Sequence, residues 1–237
     1  MFPEGVYGRV MPIAADRVPE RLPRGRHGLP RRFIVHNQRE RMLLAVAEAV
    51  AEQGFATTTV ADIIARARLS RRTFYEHFAD KEECFLAAYD TVVEQLLSAV
   101  GQAYEQADGW TQKVHDGLET FLAYLAAEPA FARMCIVEVV AAGPEARSRR
   151  DAAMSVFVDF LEPGRAEAPS GIRVPDIAAE IVVGGIYEII YARLQRNAAN
   201  ELVEMLPELL YSALVPYIGH AEAERAVTAA RERAGAA

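Results

Sequence analysis

Residues that usually carry catalysis or bind metal are scarce in this chain. Only two cysteines, Cys84 and Cys135, occur among 237 residues. Neither stands in a Cys-x-x-Cys or His-rich spacing, which argues against a disulfide framework and a thiolate metal site and fits a reduced, cytoplasmic setting. No apolar run approaches the roughly 18 residues of a membrane span. The arginine- and proline-dotted start, Met1 to Pro30, has no apolar segment of the kind a secretory signal needs. There is no glycine-rich phosphate loop, nucleophile elbow or His-Glu-x-x-His run. His115 and His220 read as isolated, Asp116 and Glu119 as a solvated carboxylate pair, and Cys84 as a core thiol. These absences point away from an enzyme and call for no metal or cofactor.

What is present is helix. Hydrophobic residues make up 51% of the chain, enough for a substantial core, and no convincing β-hairpin, internal repeat or low-complexity tract interrupts the helical periodicity. The net charge of −7 is unevenly spread. Residues 1–81 hold 14 Lys and Arg against 9 Asp and Glu, a balance of +5, whereas residues 82–237 hold 12 against 24, a balance of −12. A basic head on an acidic body suits a nucleic-acid binder whose docking face alone gains from phosphate attraction.

The basic part contains the most structured signal, Thr57 to Lys81. Thr59 and Asp62 form a capping box ahead of Val60, Ile63, Ile64 and Ala67, so a helix is expected from Val60. Ser70 is placed to cap a second helix, Arg71 to Phe78, with Leu69 and Phe74 as a hydrophobic staple. Asp80 and Glu83 repeat the signal at the head of a third, long helix. Two compact helices across a short turn make a helix-turn-helix candidate. Phe74 and Phe78 must be buried, which leaves Arg71, Arg72, Thr73, Tyr75 and His77, groups suited to phosphates and base edges, on the rest of the second helix.

The orders Thr-Val-x-Asp-Ile-x-x-x-Ala and Ser-x-x-Thr-Phe-Tyr-x-x-Phe-x-x-Lys-Glu, within about Gln38 to Asp90, resemble the DNA-binding domain of the tetracycline-repressor (TetR) family. The resemblance covers the first third of the chain. It implies a phosphate contact at the helix start Thr59, a DNA contact at Ser70, base reading by Arg71, Arg72, Thr73 and His77, and backbone clamps at Tyr75 and Lys81. One position departs from the pattern: family members usually have glycine where this chain has Arg68, and a left-handed arginine there would cost about 1 to 2 kcal/mol.

Around this stretch the organisation reads as residues 1–32, a flexible Arg-rich arm; 33–81, the helix-turn-helix domain; and 82–237, an all-helical ligand-binding and dimerisation domain. The arm is either a solvated tail or a minor-groove strand with Arg24 and Arg26 at its tip. A first helix is expected over Asn37 to Gln53, stopped by Gly54, with Phe55 packed back on it. Lys81 to Gln106 reads as one long lever, Lys81 at its head holding a phosphate together with the free N–H groups there. Beyond it, breaks are expected at 106–110, 128–129, 143–144, 163–175, 197–200, 206–207 and 216–219, leaving five or six helices of which Pro175 to Arg196 is the longest.

Two faces in this second domain are unusually apolar. Ile181, Gly184, Gly185 and Ile189, with Leu206, Leu210 and Leu214, form either monomer core or a four-helix dimer seam, and the seam is what a palindromic site and the TetR resemblance require. Tyr89, Trp110, Phe121, Tyr124, Met134, Glu138, Phe157, Phe160 and Tyr187 interleave aromatic and polar character as small-molecule sites in bundles do. The resemblance implies that this region holds an inducer.

The expected fold is therefore all-α, with an N-terminal three-helix reading domain joined to a larger helical bundle. The expected function is that of a homodimeric repressor released from a palindromic double-stranded operator by an unknown small molecule. The alternative is an architectural or chromosome-organising DNA binder that needs no ligand.

Overall fold

The computed structural model describes residues 31–236, with side chains over 34–233. Ten α-helices account for most of this span: α1 (Arg31–Gln53), α2 (Val60–Ala67), α3 (Arg71–His77), α4 (Lys81–Gln106), α5 (Trp110–Ala127), α6 (Pro129–Ile136), α7 (Pro144–Leu161), α8 (Ala178–Gln195), α9 (Leu206–Ile218) and α10 (His220–Ala236). Short 3-10 turns fill several junctions, and there is no strand among the described residues.

The local signals in the first part act as their chemistry requires. Thr59 Oγ1 accepts the N–H of Asp62 at 3.3 Å while Asp62 Oδ2 accepts the N–H of Thr59 at 2.9 Å, closing the capping box of α2. Ser70 Oγ accepts Thr73 N–H at 3.0 Å, and Asp80 Oδ1 accepts Glu83 N–H at 2.8 Å. Arg68 is left-handed (φ 52°, ψ 45°). Its N–H goes to Ala65 O and that of Leu69 to Ile64 O, the paired bonds that end a helix in a Schellman motif. The guanidinium of Arg41 from α1 donates to the carbonyls of Ala67 and Arg68, so the strained turn is tied to α1 as well.

Three boundaries differ from the sequence pattern. Helix α1 is already formed at Arg31, the first described residue, six residues before the expected Asn37, and Asn37 is buried against the core. Pro216 lies inside α9, which ends at Gly219 (φ 78°). A proline one turn from the end removes a single helical bond, and glycine supplies the terminating conformation. The helix expected over Pro175 to Arg196 is trimmed to Ala178–Gln195 and equals α5 and α7 in length rather than exceeding them.

The core of α1 to α3 is not closed on itself. Met42, Val46, Val50, Ile63, Phe74 and Phe78 belong to one cluster with Phe85, Ala88 and Tyr89 of α4 and with Phe131, Met134 and Val139 beyond α5. Phe74 is fully buried, and its burial contributes on the order of 2 to 3 kcal/mol. A second cluster surrounds Trp110, whose ring lies 5.0 Å from that of Tyr217 and against the Cα of Gly164. A Cβ on Gly164 would come within 2.3 Å of the indole, so no larger residue fits. The 163–175 connection is held by Arg165, which donates to the carbonyls of Val174, Pro175 and Asp176. Helix α4 spans about 39 Å from the first cluster into the second.

Candidate functional site

Helix α3 turns Phe74 inward and its polar side chains outward. Arg71, Arg72 and Tyr75 are exposed, Tyr75 by 50%, while Thr73 and His77 are half-buried. Arg72 is bound to Glu76 at 3.0 Å, with its side chain 89% exposed, so the pair opens at little cost when a better partner for the guanidinium is present. The Arg71 guanidinium lies 5.9 Å from the Tyr75 ring centroid. His77 is held below the ordinary histidine pKa, first by partial burial and then by the nearby charge of Arg39, which keeps it neutral and able to accept as well as donate. Thr59 and Ser70 are exposed at the heads of α2 and α3.

Lys81 corrects the sequence reading. Its ammonium donates to the carbonyls of Phe55 at 2.8 Å, Ala56 at 3.3 Å and Thr58 at 2.7 Å, and lies 4.5 Å from the Phe55 ring centroid. Three donors meet three carbonyls left unpaired where α1 ends, so Lys81 clamps the turn between α1 and α2 instead of facing outward for a phosphate. Arg24 and Arg26 lie outside the described residues.

Beyond α3 the helices line a partly open cavity of about 130 Å³. One face of α4 lines it from Tyr89 through Leu96 to Tyr104, and α5, α6, α7 and α8 supply most of the rest. Of the residues singled out in the sequence, Tyr89, Phe121, Tyr124, Phe157, Phe160 and Tyr187 line it. Trp110, Met134 and Glu138 do not. Trp110 is packed between Gly164 and Tyr217, Met134 is fully buried in the first core cluster, and Glu138 faces the end of α1. Amphipathic periodicity identifies the buried side of a helix but not whether that side meets another helix or a void. Arg150 was missed. It heads the stripe Arg150, Ala153, Met154, Phe157, Phe160 and Leu161 along α7, a helical spacing legible in the sequence.

On α8, Ile181 is 62% exposed, Ile177 just before the helix 59% and Ile189 38%. A Cβ at Gly184 or Gly185 would meet nothing within 4 Å, so this face is open. Leu210 and Leu214 correct the expected seam: both are buried within the subunit, packed around Tyr217 and among the α5 and α8 residues, while Leu206 is half-buried. His115, isolated by its spacing in the sequence, has polar neighbours in the fold. Along α5 its ring and the carboxylates of Asp116 and Glu119 come within 4.8 Å of one another, with His115 Nδ1 2.7 Å from Asp116 Oδ1. Gln112 already donates to Asp116 at 2.5 Å, so the group is an internally satisfied polar cluster. Burial pushes the Cys84 thiol up to about 12 and raises that of Cys135 as well, so neither is a ready thiolate.

Residues 43–88 match the family model described as bacterial regulatory proteins, tetR family. The chain is similar to the HTH-type transcriptional activator FasR of Mycolicibacterium smegmatis, 28% identical over 111 residues that make up 47% of this chain and 51%, about half, of that protein. It is similar to the HTH-type transcriptional regulator EthR of the same species, 28% identical over 169 residues, 68% of this chain and 76% of that one. Among solved structures, the transcriptional regulator FadR of Bacillus subtilis in complex with stearoyl-CoA superposes with a TM-score of 0.65 at 17% identity, over 74% of this chain and 97% of that one. The capped α2-turn-α3 unit and its matched family model agree: residues 43–88 form a TetR-family DNA-binding helix-turn-helix, and the chain is similar to HTH-type transcriptional regulators that carry one.

Proposed function

We propose that this regulator is a cytoplasmic homodimeric repressor that holds a palindromic operator and releases it when a long, largely apolar small molecule fills the cavity. The observation that carries this reading is the continuity of α4. Its head, Asp80 and Lys81, adjoins α3, and the face Tyr89 to Tyr104 lines the cavity, so one rigid helix meets both sites. A ligand that favours a different tilt of α4 changes the spacing of the two reading helices and shifts the population away from DNA.

In this reading Arg71, Arg72, Thr73 and His77 meet base edges, and Thr59, Ser70 and Tyr75 meet the sugar-phosphate backbone. Residues 33–81 serve as the reading module, 82–237 as the ligand and assembly domain, and Arg24 and Arg26 as the tip of a minor-groove arm. The exposed stripe Ile177, Ile181, Gly185 and Ile189 is the seam to a second copy, because a large apolar face on a monomer is costly and a palindrome demands a two-fold axis. The half-sites then lie about 34 Å apart or a multiple of it. The stearoyl-CoA bound by the B. subtilis relative supports a long acyl chain as the apolar part of the ligand.

Selection of bound duplexes from a random pool by the purified protein tests the reading. A two-fold symmetric motif whose reporter is silenced by the protein supports it. Salt-sensitive binding with no motif would instead support an architectural role, and a reporter switched on by the protein would overturn repression.

A further inference from the structure

Resting on the reading of the cavity as an effector site, we propose that it takes a linear chain ending in an acidic or acyl oxygen group, the head bound by Arg150 and Tyr124 and the tail laid along α4 toward Tyr104. Polar groups crowd one end of the cavity. Tyr89, Tyr124, Cys135, Arg150 and Tyr187 each come from a different helix, α4 to α8, and the Tyr89 hydroxyl lies in the field of Cys135, Tyr187, Arg150 and Asp90 while that of Tyr124 lies in the field of Glu128 and Cys135. Along α4 from Tyr89 the lining becomes Val92, Leu96 and Val100, about 22 Å of apolar wall before Tyr104. This is the shape and polarity of an amphiphile with one head.

Two independent features mark the head. Arg150 is the only charged side chain lining the cavity among the described residues, and its side chain is 26% exposed. Its Nε and Nη2 share a single oxygen of the exposed Asp151, at 3.0 and 2.5 Å, and its guanidinium lies 5.7 Å from the Tyr187 ring centroid. A carboxylate or phosphate offers that planar fork a better match than one shared oxygen does. Tyr124 is 2% exposed, lines the same cavity and has a hydroxyl with no hydrogen-bond partner. The other lining hydroxyls with a settled partner, Tyr104 to Phe160 O at 3.0 Å and Tyr187 to Ile136 O at 2.7 Å, already donate to carbonyls. A buried hydroxyl is rarely left unpaired, so an acyl oxygen beside Tyr124 completes the site.

The shared chemistry has two sources, a free fatty acid and an acyl thioester of a phosphorylated carrier. Binding of hexadecanoate, hexadecanoyl-CoA and hexadecan-1-ol to the full chain by displacement of a fluorescent fatty acid separates them. Wild type is expected to bind the acid or the thioester about tenfold or more tighter than the alcohol, and Arg150→Met to abolish that preference while leaving the alcohol unchanged. Tyr124→Phe, which keeps the packing, is expected to weaken both acyl compounds, and unaltered melting of each variant confirms that it folds. Equal affinity for all three probes in wild type, or an unchanged preference in Arg150→Met, overturns the head site while leaving the cavity as an effector site. Binding of none of them by wild type overturns the head site and the effector reading together.

Discussion

The carboxylate of Glu138 accepts the main-chain N–H of Phe55 at 2.9 Å, joining the segment after α6 to the segment after α1 across 83 residues of sequence. The same carboxylate stands 3.4 Å from where a Cβ on Gly54 would be and pairs with Arg133 at 3.8 Å, and Arg133 donates to Leu194 O at the end of α8. On the other side, Lys81 grips the carbonyl of Phe55. The turn between α1 and α2 is thus held from two sides, by the segment after α6 and by the head of α4.

Glu138→Ala leaves the Phe55 N–H without its acceptor and Arg133 without its carboxylate. Stability is expected to fall by about 1 to 3 kcal/mol, seen as a lower urea midpoint, and Glu138→Gln, which retains an acceptor oxygen, is expected to lose less. Equal losses would show that charge rather than the hydrogen bond matters.

Arg72 and Lys81 are expected to separate cleanly. Arg72→Ala should weaken operator binding by about 1 to 3 kcal/mol with little loss on random DNA. Lys81→Met should lower the melting temperature but leave the slope of log K against log salt unchanged, because the ammonium is spent on three carbonyls. A slope reduced by about one would return Lys81 to the phosphates.

Gly185→Leu is expected to yield a folded monomer. Gly185 is exposed and a Cβ there meets nothing within 4 Å, so the added side chain points toward whatever covers α8. Sedimentation as a dimer would place the seam elsewhere.

His77 is expected to make stability depend on pH. Its folded pKa is depressed by burial and by Arg39, with Glu76 opposing, so the unfolded chain takes up the proton first as pH falls below about 6.5. Its contribution is present above that value and is lost as the pH falls toward the folded pKa. His77→Gln should flatten the decline of the melting temperature between neutral and mildly acidic pH, and an unchanged profile would remove His77 as its source.

Arg68→Gly relieves the left-handed strain of about 1 to 2 kcal/mol but gives the unfolded chain more freedom, so a net gain below about 1 kcal/mol is expected. A lower melting temperature would mean that the Arg68 side chain holds the turn by more than its backbone costs.

The sequence by itself determined the reading module. Thr59, Asp62, Ser70 and Asp80 cap their helices through bonds three residues long, and the Phe74 and Phe78 face follows from helical period alone, so local chemistry was enough to place α2, α3 and the start of α4. It also determined the all-helical character and most of the breaks, because Gly54 and Gly219 follow helix ends and Gly143-Pro144 opens α7. Only the tertiary structure decided what those helices face. Lys81 turned inward because carbonyls from the α1–α2 turn lie beside it. Glu138 left the expected pocket for Phe55, 83 residues away. Leu210 and Leu214 sank into the subunit while Ile181 and Ile189 stayed open, though all four look alike in sequence. Periodicity records which side of a helix avoids water; which neighbour, cavity or second copy provides that shelter is set by how the helices pack.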